Sequence, residues 1–170
     1  MDSKMKITDI PEYKDKEKLL ALEENTMVSE AAKLMKENNY GATVVLNEGK
    51  LSGIFTERDL LVKIVAEGKD YNKLKLKDVM TKDVKTAKEN DEVMASVRRM
   101  SNGKFRHLPI MDDNDRVVGM ISQGDFVAAT WAQLFFRLKE QTKASFISYT
   151  QLWILAICIL LYVTVLLFIS

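Results

Sequence analysis

Two short stretches carry residue types that could act together on a ligand. Gly53-Ile54-Phe55-Thr56-Glu57-Arg58-Asp59-Leu60 returns later as Gly119-Met120-Ile121-Ser122-Gln123-Gly124-Asp125-Phe126. Each copy runs glycine, two apolar residues, a small hydroxyl residue, two variable positions, an acid and a large apolar residue. Entered from apolar runs at Leu51 and at Val117-Val118, each reads as a strand leaving a hairpin and feeding a helix that begins near the hydroxyl. Such a helix start has free backbone N–H groups that suit a phosphate, and an acid one turn on can accept hydrogen bonds from a ribose diol. Together these jobs describe a nucleotide site at Thr56 and Asp59, and again at Ser122 and Asp125. A structural use is open to the same residues, because Thr56 and Ser122 are also plain N-caps and an acid three positions on completes a reciprocal cap.

The duplication reaches well beyond the motif, so the elements that must position it repeat as well. At an offset of 65, Leu19 stands opposite Val84, Glu24-Asn25 opposite Glu89-Asn90, Thr26 opposite Asp91, Val28 opposite Val93, Met35 opposite Met100 and Tyr40 opposite Phe105. Val28, Ala31, Ala32 and Met35 fall at helical spacing behind a capping Thr26, and Val93, Val97 and Met100 do so behind Asp91. A hairpin follows each helix. Ala42 to Leu46 turns through Asn47-Glu48-Gly49-Lys50 into Leu51 to Phe55, and His107 to Met111 turns through Asp112-Asp113-Asn114-Asp115 into Arg116 to Ile121. One extra residue between the apolar runs of the second hairpin moves the offset to 66. Lys6-Ile7-Thr8-Asp9-Ile10 is similar in texture to Leu76-Lys77-Asp78-Val79-Met80, giving each repeat a lead-in segment. Each repeat thus reads strand, helix, strand, strand, helix over roughly sixty residues, a unit too small to be comfortable alone. Two such units are expected to pack sheet against sheet and share a core. Met35, Met94 and Met100 read as core filler.

At 170 residues, 47% hydrophobic and 29% charged, the chain has a globular balance. A net charge of +1, with no basic stripe interleaved with aromatics, gives no case for nucleic acid. The single cysteine, Cys158, excludes an intrachain disulfide. His107, the only histidine, has no partners at metal-ligand spacing, and neither a nucleophile motif nor paired carboxylates point to catalysis. The expectation is a chain without catalytic residues, metal site or catalytic cofactor. Met1 to Tyr13 has no apolar core long enough for a signal peptide, and Lys14 to Lys18 reads as a solvated loop.

The repeated motif, with Val79-Met80-Thr81 and Phe105-Arg106-His107-Leu108-Pro109-Ile110, resembles a tandem pair of CBS domains, the arrangement called a Bateman module. The resemblance covers about Lys6 to Thr130 and is nearest to stand-alone two-repeat proteins. It implies a mixed α+β/α/β fold of two pseudo-two-fold related repeats, with lead-in and first repeat at 1–75 and the second repeat at 76–130. It also implies clefts between repeats for AMP, ADP, ATP, NAD or S-adenosylmethionine. By position, Asp59 and Asp125 would hold ribose hydroxyls, Thr56 and Ser122 would sit near sugar or phosphate, Arg106 and His107 would reach phosphates, and Thr81 would line the adenine pocket. The first copy has Gly41-Ala42 where the second has Arg106-His107, so it offers no equivalent cation. Arg58 compensates in part where the second copy has Gly124, and unequal clefts are expected.

After Asp125, apolar positions Val127, Trp131, Leu134, Phe135 and Leu138 form one helical stripe, so 131–151 reads as an amphipathic juxtamembrane helix that packs on the module or lies along a membrane. Residues 152–169 then run without a charge, and as a helix would span about 27 Å, close to the thickness of a bilayer core. Tyr149 and Trp153 sit at an interfacial belt, with Arg137, Lys139 and Lys143 on the N-terminal flank. This predicts a single-pass, tail-anchored membrane protein whose module faces the cytoplasm. The expected function is an adenine-nucleotide sensor, most simply a homodimer, that signals to an effector protein at a membrane. A membrane-tethered dimerisation scaffold with vestigial clefts is the alternative.

Overall fold

The computed structural model describes residues 5–10, 13 and 19–169. A short 3-10 turn, Ile7–Asp9, precedes the first repeat, which runs β1 (Ala21–Glu23), α1 (Val28–Glu37), β2 (Ala42–Asn47), β3 (Lys50–Thr56) and α2 (Glu57–Asp59), the last continuing as a π-helix over Leu60–Val65. The second runs α3 (Leu76–Val79), β4 (Ala87–Lys88), α4 (Val93–Gly103), β5 (His107–Met111), β6 (Val117–Ser122) and α5 (Gln123–Ile169). Each repeat makes a three-stranded sheet, ordered β1-β2-β3 and β4-β5-β6, with the first pair parallel and the hairpin pair antiparallel. The β2–β3 hairpin turns on Glu48 and Gly49 alone, at φ 50 and 78, the left-handed pair that a tight two-residue hairpin requires. In the longer second turn, Asp112 Oδ1 accepts from the N–H groups of Asn114 and Arg116 at 2.8 and 2.9 Å.

The lead-ins are exchanged between the repeats. Val28 N–H donates to Leu74 O at 2.9 Å, Leu76 N–H to Thr26 O at 2.9 Å and Lys77 N–H to Glu24 O at 3.0 Å. In the matching positions, Val93 N–H donates to Met5 O at 2.9 Å, Ile7 N–H to Asp91 O at 3.1 Å and Thr8 N–H to Glu89 O at 3.3 Å. The segment that introduces repeat two thus docks on repeat one, and the N-terminal segment docks on repeat two. This register pairs Lys6–Ile10 with Lys75–Val79, one residue earlier than the texture of the sequence indicates. Both segments close a turn with the same device, Asp9 accepting from Lys6 N–H at 2.8 Å and Asp78 from Lys75 N–H at 2.9 Å.

The exchange corrects the expected caps. The residues at the helix starts are Met27 and Glu92, without a side-chain cap, and neither Thr26 nor Asp91 fills that role. A backbone carbonyl from the exchanged lead-in satisfies the first N–H of each helix instead. Asp91 is used elsewhere, accepting from Lys88 N–H at 3.1 Å and pairing with Arg99 at 3.0 Å. One core joins Val28, Ala31, Met35, Val45, Phe55 and Ile64 of the first repeat to Leu76, Val79 and Met80 of the second lead-in. Ile7, Ile10 and Tyr13 are buried likewise. Met35 and Met100 are core residues as expected, whereas Met94 is 58% exposed, so it fills no core.

The chain divides into two compact units, residues 1–127 and 128–170. Both repeats' sheets lie in the first unit, and α5 runs unbroken through position 151. Val127, Trp131, Leu134 and Phe135 are exposed, and so is every apolar side chain from Leu152 to Leu161. Among the described residues, no helix is long and apolar enough to cross a membrane. The expected span continues through 162, 163 and 165–169, whose side chains lie outside the description, as does the whole run Lys14 to Lys18.

If the lead-ins are exchanged, damage to one appears in the other repeat. Ile7→Ala should cost about 2–5 kcal/mol in urea denaturation, and amide exchange should quicken first in α4, where Ile7 docks, with α1 less affected.

Candidate functional site

Both motifs fold as reciprocal caps. Thr56 donates its N–H at 3.0 Å and its hydroxyl at 2.7 Å to Asp59 Oδ2, and Asp59 N–H donates back to Thr56 Oγ1 at 3.2 Å. Ser122 and Asp125 repeat this at 2.7, 2.7 and 3.3 Å. The N–H groups of Glu57 and Gln123 donate to Gly41 O and Arg106 O at 3.1 and 2.8 Å. The helix starts therefore offer little free N–H to a phosphate, contrary to the sequence expectation. What remains for a ligand is the second oxygen of each carboxylate.

The two carboxylates differ at that oxygen. Asp59 Oδ1 pairs with Lys63 Nζ at 2.7 Å and accepts from Thr81 Oγ1 at 3.0 Å. Lys63 Nζ also donates to Val79 O at 2.8 Å and Thr81 Oγ1 at 3.0 Å. Asp59 is buried, 8% exposed, inside this network. Asp125 has Ala129 four residues on, where Asp59 has Lys63, and its Oδ1 has no hydrogen-bond partner among the described residues.

The cavities follow the same division. Around Asp59 lies a cavity of about 150 Å³, lined by Gly41, Ile54, Thr56, Glu57, Arg58, Thr81 and Phe105–His107. Around Asp125 lies one of about 510 Å³, lined by Tyr13, Leu19, Asn38–Ala42, His107 and Gly119–Ser122. Small-molecule pockets are typically about 300–1,000 Å³, so only the second has room for a nucleoside. Of the eight predicted residues, Thr56, Arg58, Asp59, Thr81, Arg106 and His107 gather at the first cavity, and Ser122, Asp125 and again His107 at the second.

The cation of the second repeat lies at the cavity of the first. Arg106 lines the Asp59 cavity rather than the one at the acid of its own repeat, and its carbonyl accepts from Gln123 N–H at 2.8 Å. Gly41 lines both cavities, and Ala42 lines the Asp125 cavity. Arg58 and Arg106 are both exposed, and Arg58 is held by Lys104 O at 2.8 Å.

His107 lines both cavities. A Cβ on Gly41 would lie 3.2 Å from its Nε2, so the bare glycine is what lets the imidazole sit so close. Burial, with Arg106 beside it, holds the imidazole below its ordinary 6.5, against the pull of Glu57 and Asp125. Tyr13 donates to Glu89 Oε1 at 2.6 Å, and burial with that bond pushes the phenol up. Sequence reasoning missed Lys63, Gly41, Glu57 and Tyr13. Lys63 had a readable signal, its spacing of four from Asp59 on a helix. A third, open cavity of about 910 Å³ is bordered by Lys50, Lys82, Lys88, Arg99 and Arg116. Three of those cations are already paired, with Asp115, Asp91 and Asp112.

Two outcomes follow from these contacts. Asp59→Ala should cost about 2–3 kcal/mol, a cap plus a partly solvated ion pair, and Asp125→Ala about 1 kcal/mol, a cap alone, in denaturant titrations. Because the folded imidazole is depressed, the stability tied to His107 is complete above pH 6.5 and is lost as pH falls through the folded value. His107→Gln should therefore flatten the loss of Tm below pH 6.5 relative to the parent chain.

Comparison with known proteins places this geometry. Residues 9–66 and 76–131 each match the CBS domain. The mitochondrial CBS domain-containing protein CBSX3 of Arabidopsis thaliana is 37% identical over 107 residues, 60% of this chain and 52% of that protein. The chain spans about half the length of such curated relatives. The crystal structure of the CBS-domain containing protein ATU1752 from Agrobacterium tumefaciens shares 31% identity at a TM-score of 0.67, covering 74% of this chain and 99% of that one. The CBS domain pair of protein MJ0100, solved in complex with 5-methylthioadenosine and S-adenosyl-L-methionine, shares 27% identity at a TM-score of 0.66, covering 77% of this chain and 99% of that one. With both repeats matched and the paired fold held in common, the chain belongs to the CBS-domain family as a tandem pair.

Proposed function

We propose that this CBS pair is a regulatory module that holds the adenosine part of a small ligand in the Asp125 cleft and performs no chemistry on it. The observation that carries the reading is the carboxylate oxygen of Asp125 that has no partner among the described residues, on a cavity of about 510 Å³. A ribose diol can donate to that oxygen while Ser122 keeps the other one fixed, and Tyr40 and Met120 supply flat and apolar surface for a base. The complex of the MJ0100 pair with two adenosine compounds supports this class of ligand. AMP, ADP, ATP, NAD and S-adenosylmethionine remain the candidates.

The wider reading is a homodimer held at a membrane by 152–169, with the repeats facing the cytoplasm and an effector protein receiving the signal. Its support is the absence of charge from 152–169 together with the exposed apolar side chains of that helix up to Leu161. Division at 75, 130 and 151 into two repeats, a connecting helix and an anchor belongs to the same proposal.

Thermal unfolding of the full chain in mild detergent tests the ligand reading. A compound at one hundred times its Kd should add about 2.7 kcal/mol to the native state, a rise of roughly 5–10 °C, with S-adenosylmethionine, methylthioadenosine, AMP, ADP, ATP or NAD. Asp125→Ala should erase that rise. A flat response to all six at millimolar concentration would transfer the assignment to a tethered scaffold. For the anchor, the full chain should stay with membranes through alkaline carbonate extraction, and a paired Leu155→Arg and Leu160→Arg change should release it.

A further inference from the structure

We propose that Lys63 sets the number of nucleosides the pair can take, by acting as a built-in occupant of the first motif. The inference rests on the reading of Asp125 as a ribose-binding carboxylate. By sequence the two motifs are equivalent, hydroxyl and acid at the same spacing, and by geometry their caps are nearly superposable. At the second oxygen of the acid they part through one helix position. Lys63 follows Asp59 by four residues, and the matching residue after Asp125 is Ala129.

The ammonium reaches Asp59 through its i,i+4 spacing, at a place where the helix widens. Over Leu60–Val65 the chain takes π geometry, closing with Ala66 N–H to Leu61 O at 2.9 Å and Lys69 N–H to Ile64 O at 3.0 Å. A wider turn brings the fourth residue nearly above the first, and Lys63 Nζ comes to lie 2.7 Å from Asp59 Oδ1. All three of its donor directions are used, on Asp59, on Val79 O at 2.8 Å and on Thr81 Oγ1 at 3.0 Å. A ribose diol arriving at Asp59 would put neutral hydroxyl donors where the ammonium now sits and leave the half-buried Lys63 without its counter-ion. The exchange is uphill, so the first motif stays silent. Lys63 also draws Thr81 and the second lead-in onto the helix, consistent with a cavity of only about 150 Å³.

Removing the ammonium should give the carboxylate back. Arg58 and Arg106 stand exposed at that cavity, so the recovered site should favour a phosphorylated nucleoside. Lys63→Gln deletes the charge and, being one atom shorter, releases the hold on Val79 O and Thr81 that keeps the cavity small. Isothermal titration of the full chain with AMP and with S-adenosylmethionine should show Lys63→Gln binding one more AMP per chain than the parent. A parent that binds none and a variant that binds one would support Lys63 while refuting the Asp125 reading. A parent that binds two, or a variant with no added site, would overturn the role of Lys63 and leave the Asp125 reading standing wherever Asp125→Ala abolishes binding. Should Lys63→Gln fail to fold, Asp59→Asn in the otherwise native chain decides: unchanged stoichiometry is expected, and a lost site would overturn the proposal.

Discussion

Each main helix of the pair begins with an N–H that its own repeat does not satisfy, and the carbonyl that satisfies it comes from the other repeat's lead-in. Leu74 O serves Val28 and Met5 O serves Val93. A buried backbone donor without a partner is costly, so this exchange makes the repeats mutually dependent. It also supplies what units of roughly sixty residues lack, a core large enough to persist. Leu76, Val79 and Met80 complete the apolar cluster of the first repeat although they precede the second in the chain. The same exchange furnishes the site. Thr81 reaches Asp59, and Tyr13 reaches the Asp125 cavity, because their segments have crossed over. The motif glycines make room for these arrivals, since a Cβ on Gly119 would lie 2.9 Å from Tyr13 and one on Gly53 would run into Met80.

Within this symmetric frame the two clefts are chemically unlike. Neither cap distinguishes them, nor does the strand that carries each motif. The difference lies in residues outside the duplicated octapeptide, Lys63 against Ala129 and Arg106-His107 against Gly41-Ala42. A duplicated backbone therefore need not mean a duplicated function: the scaffold is copied by local hydrogen bonding, and the ligand chemistry is decided by a few side chains around each carboxylate, Lys63 from the same repeat as Asp59 and Arg106 from the other.

Much of the architecture was legible because it rests on local rules. The order of strands and helices, the two hairpins and the hydroxyl–acid motifs follow from period, turn residues and cap chemistry. The one-residue insertion at Asp112–Asp115 is readable as a shift of offset and is accommodated by Asp112 receiving two backbone N–H groups. What escaped was long-range. Thr26 and Asp91 have the composition of caps, and nothing local reveals that a carbonyl from Leu74 or Met5 takes the position. Nor does the sequence say that Arg106 crosses to the acid of the other repeat. Lys63 is the exception, a local i,i+4 partner whose importance depends on the buried setting that tertiary structure provides.

His107 ties the two cavities together. Its imidazole forms part of both walls, with Arg106 on one side, Asp125 and Glu57 on the other, and the bare backbone of Gly41 against the ring. Burial favours the neutral ring, and so does Arg106, whereas both carboxylates favour the charged one. A ligand that covers Asp125 or neutralises it removes one of the two pulls toward the imidazolium. A phosphate near Arg106 acts in the opposite sense, by screening the cation that disfavours it. A ligand in the Asp125 cavity thus alters the electrostatic balance at a group that also forms part of the other cavity's wall. Coupling between sites requires no more than such a shared element whose state each ligand biases differently. With no second histidine anywhere in the chain and no symmetry mate at Ala42, this junction is a feature of the pair rather than of either repeat.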